Sequence, residues 1–180
     1  MKLIGLIGKA RSGKDTVAQY LFEQYGFTRL AYADPVKLAA QQIFGLSHNQ
    51  TWDDKLKEVE IPYWGMTPRQ MFQKLGTDAT HPVFGRDVWM KRWFMAYDVL
   101  KDTDDIVVPD VRYDLELQGV RNLGGVLIRI ERGEGLSGQE GAHISENGIT
   151  IDPDFVIHNN GSLHQLYDAV ESILDAMENT

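Results

Sequence analysis

The 180-residue sequence contains no cysteine, which excludes disulfides and thiolate metal sites and fits a reducing compartment. It is short of positive charge. Eighteen lysines and arginines stand against 26 acidic residues, a net charge of −8, which argues against non-specific nucleic-acid binding but leaves room for a local basic cleft that binds anions. No apolar run approaches the length of a membrane span, so no membrane partner is expected. The opening MKLIGLIGKA is too short in its apolar part, and too soon followed by charge, to read as a signal peptide, and a cytoplasmic location is the expectation. Internal repeats and low-complexity tracts are lacking. What remains is an ordinary globular composition at a length that predicts one domain with its own core.

The stretch GLIGKARSGKDT, Gly5 to Thr16, almost matches the phosphate-binding pattern G-x-x-x-x-G-K-[ST]. Gly8, Gly13 and Lys14 fall in place, but Asp15 occupies the hydroxyl position and the first hydroxyl comes one residue later, at Thr16. The context supports a working loop. Lys2 to Ile7 reads as a short buried strand, and Val17, Ala18, Leu21, Phe22 and Tyr25 recur at helical spacing up to a C-capping Gly26. Successive N–H groups of such a turn form an anion nest at a helix N-terminus, and Lys14 would reach the outer phosphates. Two roles are open for Asp15: holding a magnesium-bound water, or favouring the helix dipole in the first turn.

Further strands are predicted over Phe27 to Tyr32, Ile106 to Val108, Gly125 to Ile130 and Phe155 to Ile157. Helices are predicted from Pro35 to Phe44, from Thr67 (capped by Gln70, and stopped by Gly76), from Asp87 to Leu100, from about Asp110 to Leu123, and from Ser162 with Gln165 completing a capping box. Leu163, Leu166, Tyr167, Val170, Ile173 and Leu174 form the apolar face of the last helix. Ser47 to Trp64 reads as irregular, and Arg132 to Gly148, with five glycines, as a mobile flap. Apolar strands alternating with helices predict an α/β fold, a five-stranded parallel sheet covered on both faces, with ligands at the carboxyl ends of the strands. Asp110, which follows the strand Ile106 to Val108, is placed for magnesium or its waters, and Arg112 for a phosphate.

Taken together, several segments resemble a known family. They are Gly8 to Thr16; Ala33-Asp34-Pro35-Val36-Lys37; Thr67-Pro68-Arg69 leading into Gln73-Lys74-Leu75-Gly76-Thr77-Asp78; Asp87-Val88-Trp89; Asp110-Val111-Arg112; His143-Ile144-Ser145-Glu146; and Asn159-Asn160-Gly161. In this order they resemble a bacteriophage-type deoxynucleoside monophosphate kinase, within the P-loop kinases that include adenylate kinase and dephospho-CoA kinase. The resemblance implies a single P-loop kinase domain over residues 1–180, with an acceptor-binding insert at about 33–97 and a lid at about 131–148. It implies ATP and Mg2+ as donor and cofactor, a deoxynucleoside monophosphate as acceptor, and a homodimer as a possible assembly.

By position, Gly8, Ala10, Arg11, Ser12, Gly13, Lys14, Asp15 and Thr16 would bind ATP, with Asn160 beside the adenine. Asp34, Lys37, Arg69, Gln73, Asp78, Arg86 and Trp89 would bind the acceptor; core packing is an equal alternative for Trp89, and a surface ion pair for Arg86. Lys14, Arg69, Arg112, Asp110 and the lid-root Arg132 would form the catalytic set, and Asp15, Thr16 and Asp110 would meet magnesium through water. His143 and Glu146 alone supply too few ligands for a metal site, and His48, His81, His158 and His164 read as structural. Two competing readings remain at this point. One is a kinase of the dephospho-CoA kinase type, or another small-molecule P-loop kinase, acting on a hydroxyl with Asp34 as base. The other is a non-catalytic ATP-binding switch.

Overall fold

The computed structural model describes residues 1–133 and 152–179. In chain order its elements are β1 (Leu3–Ile7), α1 (Lys14–Tyr25), β2 (Thr28–Arg29), α2 (Asp34–Phe44), α3 (His48–Trp52), α4 (Pro68–Gln73), α5 (His81–Phe84) and α6 (Val88–Leu100). They continue with β3 (Ile106–Val108), α7 (Asp114–Asn122), β4 (Val126–Glu131), β5 (Phe155–His158) and α8 (Leu163–Glu178). The chain forms two compact units, Met1–Ala31 with Asp98–Thr180, and Tyr32–Tyr97.

The first unit carries the five-stranded sheet expected, in the order β2-β3-β1-β4-β5, and every pairing is parallel. β1 lies at the centre, buried along its whole length, as its unbroken apolar run requires. Ile4 and Leu6 face one side of the sheet, where Val17, Ala18 and Leu21 of α1 and Leu166, Val170, Ile173 and Leu174 of α8 close over them. On the other side a Cβ at Gly5 would lie 2.9 to 3.3 Å from Leu127, Val111 and Val120, so α7 packs close only because residue 5 has no side chain. Leu163, read as part of the apolar face of α8, is 54% exposed; it stands in the first turn, beyond the sheet. The second strand is shorter than expected. Only Thr28–Arg29 form a ladder, although the Leu30 N–H still reaches the Val107 carbonyl at 2.9 Å.

The second unit has its own small core of Ala40, Leu46 and Met71, with Phe44, Ile61, Met66, Phe72 and Leu75 packed around it. The stretch read as irregular contains α3, started by a reciprocal Ser47–Gln50 capping box, and a short 3-10 turn at Leu56–Glu58. The Thr67–Gln70 box forms as its spacing predicts. The expected stop at Gly76 does not occur. The helix runs through it as a π-helical turn over Lys74–Ala79. A Cβ at Gly76 would sit 3.0 Å from Val36 Cγ1, so this glycine allows close helix packing rather than chain reversal.

Candidate active site

The loop between β1 and α1 leaves the carboxyl end of the central strand and is held by its neighbours. Gly8 has φ +148° and Gly13 φ +112°, and Arg11 is left-handed at +62°. A Cβ on Gly8 would meet the Ile130 carbonyl oxygen at 2.3 Å, and one on Gly13 the Asn159 Nδ2 at 2.5 Å. The loop therefore lies directly against the end of β4 and the turn after β5. Lys14 is buried, and its ammonium donates to the carbonyls of Gly8 (2.6 Å) and Lys9 (2.7 Å), folded back over the loop. The Ser12 hydroxyl is also buried and has no hydrogen-bond partner among the described residues. A buried cation, an unused hydroxyl and a glycine turn at a helix N-terminus are together suited to a phosphate chain. Ala10 and Arg11 are exposed at the loop's crest.

Asp15 is exposed in the first turn of α1, Thr16 is half-buried beside it, and Asp110 is half-buried where β3 ends. All three offer oxygen donors, which suit Mg2+. No cluster of three or more metal-ligating His, Asp or Glu side chains occurs among the described residues. This donor set fits an ion that keeps most of its waters and is held through substrate phosphates, not one caged by protein.

Behind Asp110 the chain turns into α7, and Glu116 organises that turn. Its carboxylate accepts from the N–H groups of Arg112 (2.8 Å) and Tyr113 (3.2 Å). Burial pushes the Glu116 carboxyl up to about 7; the Arg112 N–H opposes the rise and the Asp110 charge adds to it. In the unfolded chain it returns to the ordinary glutamate range. Between about pH 4.5 and pH 7 the folded state then holds a proton that the unfolded state has lost, so this group's contribution falls as pH rises through that window. Relative to Glu116→Gln, magnesium-free wild type should lose on the order of 2 kcal/mol across it, after a discount for partial exposure. Denaturant titrations of both proteins at pH 5 and pH 7.5 measure this, and a difference independent of pH would show that the carboxyl titrates normally.

Asp34 and Lys37 form a one-turn ion pair at 3.7 Å in the first turn of α2, and the Lys37 ammonium lies 4.6 Å from the ring centroid of Trp52. Trp52 had no role in the sequence reading, because its helix α3 is only five residues long and shows no readable periodicity. Arg69, in the first turn of α4, is paired with Glu58. Trp89 is half-buried, and its indole N–H donates to the Gly76 carbonyl (2.8 Å) and the Thr80 hydroxyl (3.2 Å), tying α6 to the π turn. Gln73, Asp78 and Arg86 are exposed.

Back in the first unit, the carboxyl ends of parallel β1, β3, β4 and β5 put the loop at Gly8, Asp110, Arg132 and Asn159 along one edge. Arg132 is exposed just past β4. The Asn160 Oδ1 accepts from the Gly133 N–H at 2.8 Å. Its neighbour Asn159 donates from Nδ2 to the Ser12 carbonyl at 2.8 Å. Glu116 had no assigned role in the sequence reading, and Asn159 entered it only as part of the Asn159-Asn160-Gly161 turn that the resemblance puts beside the adenine. Glu116 had only a partial signal, an acid inside the helix predicted from about Asp110 to Leu123; the structure puts it at the third position of α7. The contact of Asn159 with Ser12 had none, since the two residues are 147 positions apart. The rest of the expected flap, with His143 and Glu146, lies outside the described residues.

Comparison with known proteins bears on the family of the chain. The family model for deoxynucleotide monophosphate kinase matches residues 2–61 and 41–170. A relative carrying that family name in Acanthamoeba polyphaga mimivirus is 32% identical over 189 residues, covering 97% of both chains. The deoxynucleotide monophosphate kinase of Enterobacteria phage T4 is 25% identical over 245 residues, covering 98% of this chain and 100% of its own. Among solved structures, TT1252 from Thermus thermophilus superposes with a TM-score of 0.55 at 17% identity, over 97% of each chain. The APS kinase CysC of Mycobacterium tuberculosis, solved with AMPPNP and APS, does so with a TM-score of 0.52 at 14% identity, again over 97% of each. These structural likenesses carry the kinase fold alone. The family match spans nearly the whole chain, as do the two sequence relatives: the chain belongs to the deoxynucleotide monophosphate kinase family.

Proposed function

We propose that the protein transfers the γ-phosphoryl group of ATP to deoxynucleoside 5′-monophosphates, giving ADP and the diphosphates. The observation that carries this reading is the buried Lys14, clasped on a left-handed glycine loop at the carboxyl edge of a parallel sheet, in a chain of this family. An oxygen of the acceptor phosphate attacks the γ-phosphorus as the bond to the β–γ bridging oxygen breaks. That nucleophile is already anionic near neutral pH, so no strong general base is required, and catalysis rests on alignment and charge neutralisation.

In the first unit, Lys14 swings from its two carbonyls to the outer phosphates of ATP, while the loop N–H groups and the Ser12 hydroxyl hold the rest of the chain. Asp15, Thr16 and Asp110 would hold Mg2+ through its waters, and the ion, when bound, would neutralise phosphate charge. Arg112, on the turn set by Glu116, offers its guanidinium to the transferring group. In the second unit, Arg69 serves the acceptor phosphate once it exchanges Glu58 for it, and Asp34, Lys37 and Trp52 supply polar and aromatic contacts for the nucleoside. Trp89 contributes a wall rather than a hydrogen bond, because its N–H is already engaged.

The test is ADP formation from Mg-ATP with each deoxynucleoside monophosphate in turn, with products identified by mass. Acceptor-dependent turnover that yields a deoxynucleoside diphosphate is the expected result. A product phosphorylated on a hydroxyl would move the assignment to a hydroxyl kinase. ATP binding without stimulation by any acceptor would leave a nucleotide-dependent switch.

A further inference from the structure

We propose that Asn159 is a positioning residue of the nucleotide site, whose carboxamide locks the Ser12–Gly13 peptide of the phosphate loop in its anion-binding orientation. The inference rests on the reading of that loop as the ATP-phosphate site.

Asn159 Nδ2 donates to the Ser12 carbonyl at 2.8 Å, and a Cβ added to Gly13 would fall 2.5 Å from the same nitrogen. Only the amide's NH2 group can serve a carbonyl acceptor, so the donor assignment follows from the partner. In a planar trans peptide the N–H points opposite to the C=O. Holding the Ser12 carbonyl on Asn159 therefore holds the Gly13 N–H on the far edge of the peptide, away from Asn159.

Something must make this choice, because Gly13 itself does not. With φ at +112° and no side chain, it admits either orientation of the peptide at little cost. In the flipped orientation a carbonyl dipole replaces an N–H among the groups lining the nest, and an anion is repelled where it would be bound. Asn159 is itself on rigid ground. Its N–H donates to the Glu131 carbonyl at 2.7 Å, β5 pairs with β4 up to His158 opposite Glu131, and the Asn160 N–H closes on the His158 carbonyl at 3.0 Å. The anchor comes from strands already fixed in the sheet, so the orientation is set before nucleotide arrives.

The experiment compares wild type with Asn159→Asp and Asn159→Ala, using equilibrium binding of ATP and of inorganic tripolyphosphate, which carries the phosphates without the base. Melting temperatures confirm that each variant is folded. Asn159→Asp keeps the shape and replaces the donor by a carboxylate facing a carbonyl. At pH 8 it should bind both ATP and tripolyphosphate about 10-fold more weakly or worse, with acceptor KM within about 2-fold of wild type; Asn159→Ala should lose about 3- to 10-fold. A carboxylate held against a carbonyl titrates above the ordinary aspartate range, so lowering the pH towards 5 begins to protonate it and restore a donor, and the ratio of Asn159→Asp to wild type should narrow, which a packing role alone would not produce. Tripolyphosphate affinity equal to wild type in Asn159→Asp overturns the proposal, and a loss confined to ATP overturns it in favour of a contact with the base. Wild type that binds neither ATP nor tripolyphosphate removes the functional reading itself, an outcome separate from any behaviour of the variants.

Discussion

Lys14→Ala should lower kcat/KM by about 10²–10³-fold, or more, while the protein remains folded. The side chain is buried, and its ammonium donates to two backbone carbonyls of its own loop. Those carbonyls can turn to water when the ammonium is removed, so the structural cost is small. The catalytic cost is large for a different reason. Negative charge is redistributed over the γ-phosphoryl group during transfer, and a fixed cation there acts where water is excluded. Arginine should not rescue it. Its planar fork is wider than the ammonium and does not fit the same pair of carbonyls 2.6 and 2.7 Å from the nitrogen. The measurement is steady-state turnover with a circular dichroism spectrum of each variant. Near wild-type transfer by Lys14→Ala would sink the mechanism.

Gly8→Ala should abolish measurable ATP binding and lower stability by about 2–4 kcal/mol. The new methyl would stand 2.3 Å from the Ile130 carbonyl oxygen and 2.8 Å from the Ser12 hydroxyl. Ile130 lies in β4, paired on both sides by β1 and β5, so it has no room to retreat. The loop must move instead, and with it the N–H groups that would hold phosphate. Gly26→Ala is the matching control. It also has positive φ, +71°, but nothing lies within 4 Å of its added Cβ. Its cost should be backbone strain alone, about 1 kcal/mol, with ATP affinity retained. Calorimetric titration with ATP and thermal melts of both variants decide the matter: Gly8→Ala that binds ATP as wild type does would show that the loop can be remodelled freely.

Much of the fold was legible in local pattern. The strand, glycine turn and helix of the phosphate loop are contiguous, and each follows from rules that act within a few residues: an apolar run, a missing Cβ, a 3.6-residue period. The Thr67–Gln70 and Ser162–Gln165 boxes formed where their three-residue spacing said they would. Gly76 misled because the same residue serves two physical purposes. Glycine ends helices through left-handed backbone, and it also lets helices approach, and here Val36 at 3.0 Å decides for the second. Trp89 shows the same limit. Its place on a helix was readable, but the partners of its N–H depend on a π turn that no pattern announced.

The sequence by itself thus determined the class of fold and the strand, glycine turn and helix from β1 to α1, because those features are written in short-range spacing and side-chain chemistry. Tertiary structure alone decided the order β2-β3-β1-β4-β5, the two-residue length of β2, and the use of Asn159 to hold Ser12. Each of these depends on which distant backbone groups find one another. A hydrogen bond between residues 12 and 159 leaves no trace in either neighbourhood until the sheet has brought the two strand ends side by side.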